Sequence, residues 1–141
     1  DRFLIRIDLK MPDTDTLIKI LNIKKQEMEC LISPEELREL KKGHANIVIA
    51  DDLIHQTAEW ISSTHRMSDI KAGASPRAAQ AVIRFAKGLA LIEGQKHVSP
   101  KNLNDALLPC LRHRITLKHH LVTKQNSDQL LTSMIEERQI K

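Results

Sequence analysis

Aromatic side chains are almost missing from this 141-residue chain: Phe3, Phe85 and Trp60 make up 2% of it, and there is no Tyr. That excludes the stacking platforms on which single-stranded nucleic acid lays its bases, and it makes any core aliphatic. Glycine and proline are scarce too, at four and five residues, too few for the tight turns of an all-β protein. No apolar run approaches the roughly 20 residues of a membrane span, and no signal-peptide pattern stands at the first residues. Cys30 and Cys110 are isolated, with no second Cys or His at ligand spacing. Two buried thiols in a reducing cytosol are therefore expected rather than a disulfide.

Hydrophobic residues reach 41% and charged residues 28%, enough to bury a core and too apolar for a disordered chain. Lys and Arg number 22 against 18 Asp and Glu, a net charge of +4. Such a mild excess permits an acidic partner or phosphates. It falls short of a nucleic-acid footprint, because the basic residues alternate with acids along most segments.

Phe3, Ile5, Ile7 and Leu9 alternate with Leu4, Arg6, Asp8 and Lys10, which predicts a strand over residues 3–9, halted by Pro12. A lone strand cannot satisfy its backbone donors and acceptors. Either it pairs with the β-branched run Ile47-Val48-Ile49, or its sheet lies upstream; the absence of an initial Met favours a piece of a longer protein. The remainder reads as helical. Asp13 to about Glu29 carries Leu17, Ile20, Leu21 and Met28; Ser33-Pro34-Glu35-Glu36 opens a helix through Lys42, stopped at Gly43. Asp51 or Asp52 caps a helix to about His65 with Ile54, Thr57, Ala58, Ile61 and Thr64 on one side. Ser75-Pro76 opens a long helix to Glu93, with Ala78, Val82, Phe85, Leu89 and Ile92 expected inward and Gly94 ending it. Ser99-Pro100 opens another to about His113, with Leu103, Ala106, Leu107, Cys110 and Leu111 inward and a kink expected at Pro109. A last helix spans about Ser127 to Arg138, with Leu130, Leu131, Met134 and Ile135 inward. Each Ser-Pro start combines a side-chain cap with a residue that needs no amide proton.

The three Ser-Pro starts differ in the charge of the next residue. After Pro34 come two glutamates, the charge a helix N-terminus favours; after Pro76 comes Arg77, the charge it disfavours. That mismatch becomes useful if an anion docks there, since amides, dipole and guanidinium then favour the same phosphate. Lys71-Ala72-Gly73-Ala74 is small enough to let a ligand approach the backbone. Lys101 after Pro100 repeats the mismatch. Gln80, Arg84 and Lys87 read as a solvated face of the Arg77 helix, and His113-Arg114 as cations at the negative end of another. His119 and His120 lack the spacing of metal ligands. No nucleophile elbow, no paired-carboxylate pattern and no GxxxxGK[ST] phosphate loop is present.

Two stretches together carry a resemblance. Asp1-Arg2-Phe3-Leu4-Ile5-Arg6-Ile7 followed by Pro12 is similar to the end of the nucleotide-binding core of the MoxR-type AAA+ ATPases. Gly73-Ala74-Ser75-Pro76-Arg77-Ala78 resembles that family's second-sensor motif. Gly94-Gln95-Lys96-His97-Val98-Ser99-Pro100 and Leu111-Arg112-His113-Arg114-Ile115 come next, in the family's order. The resemblance runs from Asp1 to about Leu117. It implies a mainly α chain: residues 1–12 as the last strand of the core, 13–32 as a connecting helix, 33–117 as a helical-bundle lid, and 118–141 as a C-terminal extension.

It also implies a cytoplasmic ATP hydrolase that binds ATP with magnesium, assembles as a ring (commonly a hexamer) and remodels partner proteins. A von Willebrand factor A domain protein is a typical companion. By resemblance Arg77, with Ser75 and Pro76, contacts the phosphates of the same subunit's ATP. Arg2 is the candidate arginine finger toward the neighbouring subunit, with Asp1 in support. A planar, permanently charged guanidinium suits the charge that phosphoryl transfer concentrates on the γ-phosphoryl oxygens. Gln95 stands where the family usually has a basic residue, and Thr64-His65-Arg66 is offset from a typical Thr-Arg pair, so Arg66 is given no role. The phosphate loop, the magnesium-binding strand and the first sensor would precede Asp1, so this chain by itself is expected to be inactive. The alternative is a free-standing helical adaptor or DNA-binding module, with Arg77, Gln80 and Arg84 on a recognition helix.

Overall fold

The computed structural model describes the backbone of residues 3–24, 29–118 and 124–141, and the side chains of all of these except 124–127. In chain order the elements are α1 (Thr14–Leu21), α2 (Pro34–Asn46), α3 (Asp51–Ser63) with a 3-10 turn at Thr64–Arg66, β1 (Ile70–Ala72), α4 (Pro76–Ile92), α5 (Pro100–Leu111), β2 (Thr116–Leu117) and α6 (Lys124–Glu137). The chain is mainly α, with one short strand pair.

Local chemistry accounts for most helix starts. Asp13 accepts the Thr16 N–H at 2.7 Å. Ser33 and Ser99 each close a capping box: their hydroxyls accept the N–H of Glu36 and Asn102, whose side chains accept in return the N–H of Ser33 and Ser99. Ser75 departs from this pattern, with no side-chain cap bond. Neither Asp51 nor Asp52 is a cap; Ala50 holds that place, and both acids lie in the first turn, where their charge suits the helix dipole. Gly43 does not stop α2, which continues to Asn46. A Cβ on Gly43 would come within 3.3 Å of Leu91 Cδ1, so this glycine serves helix contact. Gly94, at φ +71°, ends α4 as expected.

Helix α1 is shorter than the periodicity predicts. Both the backbone and side-chain N–H groups of Asn22 bond Ile18 O and close its last turn. None of its residues is buried, so the predicted stripe Leu17, Ile20 and Leu21 covers no core; Met28 lies outside the described residues.

The centre of the molecule is the contact between α4 and α5. Ala78, Ala81, Val82, Ala86 and Ala90 of α4 meet Leu103, Ala106, Leu107, Cys110 and Leu111 of α5. The predicted α5 stripe is buried throughout. On α4 the buried side is alanine, because small side chains let the two backbones approach. Phe85 and Leu89 are consequently only half-buried and Ile92 is exposed. On α3 the buried side is Leu53, Thr57, Trp60 and Ile61; Ile54 and Ala58 face outward, since Trp60 claims the space against the core. Leu131 and Met134 bring α6 onto α5. The chain end is held by paired side-chain bonds: Asn104 exchanges two with Ile140, each 3.0 Å, and Gln56 two with Lys141.

Residues 3–9, predicted as a strand, form none: no second strand runs beside them among the described residues. Their backbone is tied to the bundle by the Arg6 N–H, which donates to Pro109 O at 2.9 Å. Pairing with Ile47-Ile49 does not occur. Val48 instead bridges the loop before α5, donating to Lys96 O and accepting the Val98 N–H. The expectation of two buried thiols holds only for Cys110; Cys30 is exposed.

Candidate functional site

Strands β1 and β2 pair antiparallel, Ile70 opposite Leu117 and Ala72 opposite Thr116. One strand leads into α4 and the other leaves α5, so their pairing lays the start of α4 against the turn after α5. Two clefts result. Ser75, Pro76 and Arg77 line one of about 490 Å³ with His113, Arg114 and Thr116. Arg77, Gln80, Ala81 and Arg84 line another of about 290 Å³ with Phe3, Leu4 and Arg114. Arg77 and Arg114 border both, and among the described residues no carboxylate lines either. A third cleft, of about 660 Å³ between α3 and the chain end, mixes Glu59 with Arg66 and Arg138, so its charge is not of one sign.

The loop presenting Arg77 is set by residues the motif reading passed over. Thr64 Oγ1 donates to Ile61 O at 2.7 Å and accepts the Ala74 N–H at 3.0 Å. His65 Nε2–H donates to Ala74 O at 2.8 Å, which fixes its tautomer. The loop thus presses so closely on this pair that a Cβ at Gly73 would stand 2.8 Å from the His65 ring and from Thr64 Oγ1. Close packing inside the protein explains this glycine, rather than approach of a ligand. Only the offset Thr64-His65-Arg66 hinted at the partner.

Lys101 and Arg77, equivalent in sequence, are distinguished by their surroundings. Lys101 pairs with Asp105 at 2.9 Å and Glu93 at 3.4 Å, bonds that raise its pKa. Arg77 is exposed and makes no hydrogen bond or ion pair among the described residues. The first turn of its helix is closed only by Ser75 O, which accepts from the Ala78 and Ala79 N–H groups. Gln80 and Arg84 border the same cleft rather than forming a plain solvated face, while Lys87 does not reach it. His113 and Arg114, read from sequence as dipole partners, both donate to Phe3 O, His113 Nε2 at 3.3 Å. Burial lowers the His113 pKa, outweighing the Phe3 carbonyl that favours its charged form.

Asp1 and Arg2 lie outside the described residues, as do His119 and His120. Among the described residues no group of three or more His, Cys, Asp or Glu could hold a metal ion, and no helix is long and apolar enough to cross a membrane.

The helical bundle thus carries, at the head of a long helix beside an open cleft, an arginine without a partner among the described residues. Consistently, the chain belongs to the AAA lid domain family, whose model matches residues 62–134, just over half of it. Within that family it is a MoxR-type AAA+ portion, as its relatives indicate. It is 25% identical to the Mycobacterium tuberculosis protein named Chaperone MoxR1, over 96% of this chain and 39% of that one. To the uncharacterized Bacillus subtilis protein YeaC it is 23% identical, over 83% of this chain and 38% of the relative. The chain therefore spans about two fifths of the length of the curated relatives it matches. A crystal structure from Cytophaga hutchinsonii, of a protein provisionally assigned as an ATPase, superposes with a TM-score of 0.82 at 21% identity. That match covers 99% of this chain and 47% of the other, and it supports the fold.

Proposed function

We propose that this chain is the lid of an ATP-hydrolysing ring motor, and that Arg77 is its phosphate sensor. The observation that carries the reading is the state of Arg77: an exposed guanidinium at a helix start without a side-chain cap, which among the described residues has no internal partner and borders clefts lined by no carboxylate. These residues fit a phosphate chain: the guanidinium offers a planar fork, the helix start a positive pole, and Arg84 a second cation. When bound, ATP with its magnesium supplies the phosphoanhydride bond to be cleaved. Arg77 orients the terminal phosphoryl oxygens, and Ser75 and Pro76 shape the approach to them. Because Arg77 rides on a lid helix, losing its grip after hydrolysis frees the lid to move.

The same reading gives Arg2 the role of finger in trans, supported by Asp1, within a homo-oligomeric ring, commonly a hexamer. It divides the chain into core remnant 1–12, connector 13–32, lid 33–117 and extension 118–141. Magnesium is held by residues outside the chain. The motor works in the cytoplasm, remodels partner proteins beside a von Willebrand factor A domain protein, and shows no turnover as this chain alone. The DNA-binding alternative is disfavoured because the basic residues are not collected on one element and the net charge of +4 is modest.

In the ATPase that carries this lid together with its core, Arg77→Ala should cut turnover by about 10- to 100-fold, the scale of one charge-assisted bond, with the helical circular dichroism unchanged. Wild-type turnover removes the sensor assignment. Mixing Arg2→Ala subunits with subunits lacking the phosphate loop tests action in trans; complementation in a same-subunit pattern removes the finger.

A further inference from the structure

The three residues Arg112-His113-Arg114 do more than end α5. Two of them share one carbonyl of the N-terminal segment, and the third reaches a carboxylate further along it and another on α6. Arg114 Nη2 and His113 Nε2 both donate to Phe3 O. Arg112, only 14% exposed at its side chain, extends Nη1 to Asp8 at 3.8 Å and Nη2 to Asp128 of α6 at 3.0 Å. Between these contacts the Arg6 N–H donates to Pro109 O, one turn back on α5, and Arg6 Nε pairs with Asp8 at 3.3 Å. An irregular segment that forms no strand is thus held at three points over six residues, all by the C-terminal end of one helix. Phe3 and Leu4, so fixed, wall the cleft that Arg77 borders.

We infer that Arg112, His113 and Arg114 form a clasp that holds segment 3–8 on the lid, making Arg112 and Arg114 positioning residues for whatever that segment carries. Resting on the sensor-and-finger reading, the cargo is Arg2, one residue before the clasped carbonyl. The lid then carries both arginines: Arg77 senses its own subunit's phosphates, and the clasp passes the lid's position to the residue aimed at the next subunit. Arg112 extends the linkage to α6, so the C-terminal helix belongs to the same rigid unit. A guanidinium and an imidazole N–H on one carbonyl, with an ion pair five residues on, resist sliding of the segment more than either contact alone.

Two measurements test the clasp. The first is amide exchange at Arg6 in the full chain, followed by NMR. Arg114→Gln and Asp8→Asn should each quicken it about tenfold, with the amides of Leu103 to Leu107 unchanged, and Asp8→Glu should restore much of the protection. Unchanged Arg6 exchange in Asp8→Asn and Arg114→Gln overturns the clasp, as does a loss spread evenly over α4 and α5. The second is steady-state kinetics of the ATPase carrying its core. Asp8→Asn should lower kcat several-fold and leave the KM for ATP within about twofold, because Asp8 borders no nucleotide cleft. A raised KM with kcat unchanged overturns the positioning role. If Arg77→Ala leaves ATP binding untouched, the sensor reading fails by itself, and the Arg6 exchange still decides the clasp.

Discussion

Gly73→Ala is the sharpest perturbation this structure offers. The added Cβ would stand 2.8 Å from two carbons of the His65 ring and 2.8 Å from Thr64 Oγ1, where ordinary carbon contacts lie at about 3.5–4.0 Å. Neither neighbour can yield freely. His65 is held by Ala74 O, and Thr64 by Ile61 O and the Ala74 N–H. Overpacking of this kind costs about 1–3 kcal/mol. Moving Thr64 also strands the N–H of Ala74, a residue 1% exposed, at about 1–3 kcal/mol. The lower entropy of the unfolded alanine chain returns about 0.4–1 kcal/mol. The net expectation is a loss of about 3 kcal/mol, or roughly 10 °C in Tm for a chain of this size. Urea and thermal unfolding measure it, with Gly88→Ala as the control. That glycine lies inside α4 with nothing within 4 Å of its Cβ position, so alanine there should stabilise by about 0.5–1 kcal/mol. Equal stability of Gly73→Ala and wild type would refute the close-packed loop.

The two thiols should part company in reactivity. Cys30 is exposed, whereas burial pushes the Cys110 thiol up to about 11. A thiol reagent near pH 8 should therefore modify one site promptly and the second only on unfolding; rapid modification of both would contradict the α4–α5 core. His113 should make stability depend on pH. Its folded pKa lies below the usual 6.5, so between those two values the unfolded chain binds the extra proton, and stability falls as pH drops through 6.5. Urea midpoints between about pH 7.5 and pH 5.5 should drop for wild type and flatten for His113→Gln; an identical slope in both would exclude His113 as the source.

The parts legible in sequence are those decided within a few residues. Ser33-Pro34 and Ser99-Pro100 announce helices because their caps close over three residues, and the α5 stripe is read correctly because its large side chains face the core. The α4 stripe is read correctly at Ala78 and Val82 and misjudged beyond them. Phe85, Leu89 and Ile92 looked like core, but from there on α5 approaches so closely that the buried positions are Ala86 and Ala90. Pairs set by tertiary geometry are invisible to local pattern: β1 and β2 are three and two residues long and meet only because α4 and α5 form a hairpin. Residues 3–9 illustrate the converse, a good period-two pattern without a neighbouring strand among the described residues. Arg77 could be singled out as a cation at the wrong end of a helix, but Lys101 shows the same sign. Their difference lies in Glu93 and Asp105, and it took coordinates to find it. Thr64, His65 and the grip of Arg114 on Phe3 lie 9 to 111 positions from what they hold, beyond any spacing argument.

The central claim is that Arg77 holds a nucleotide's phosphates, and the ATP dissociation constant measures it most directly. In the protein that joins this lid to its nucleotide-binding core, Arg77→Ala should weaken ATP binding about 10- to 100-fold, the worth of a charge-assisted bond. Lys101→Ala, whose cation already has two internal partners, should bind as wild type does. Equal affinity in wild type and Arg77→Ala would contradict the account.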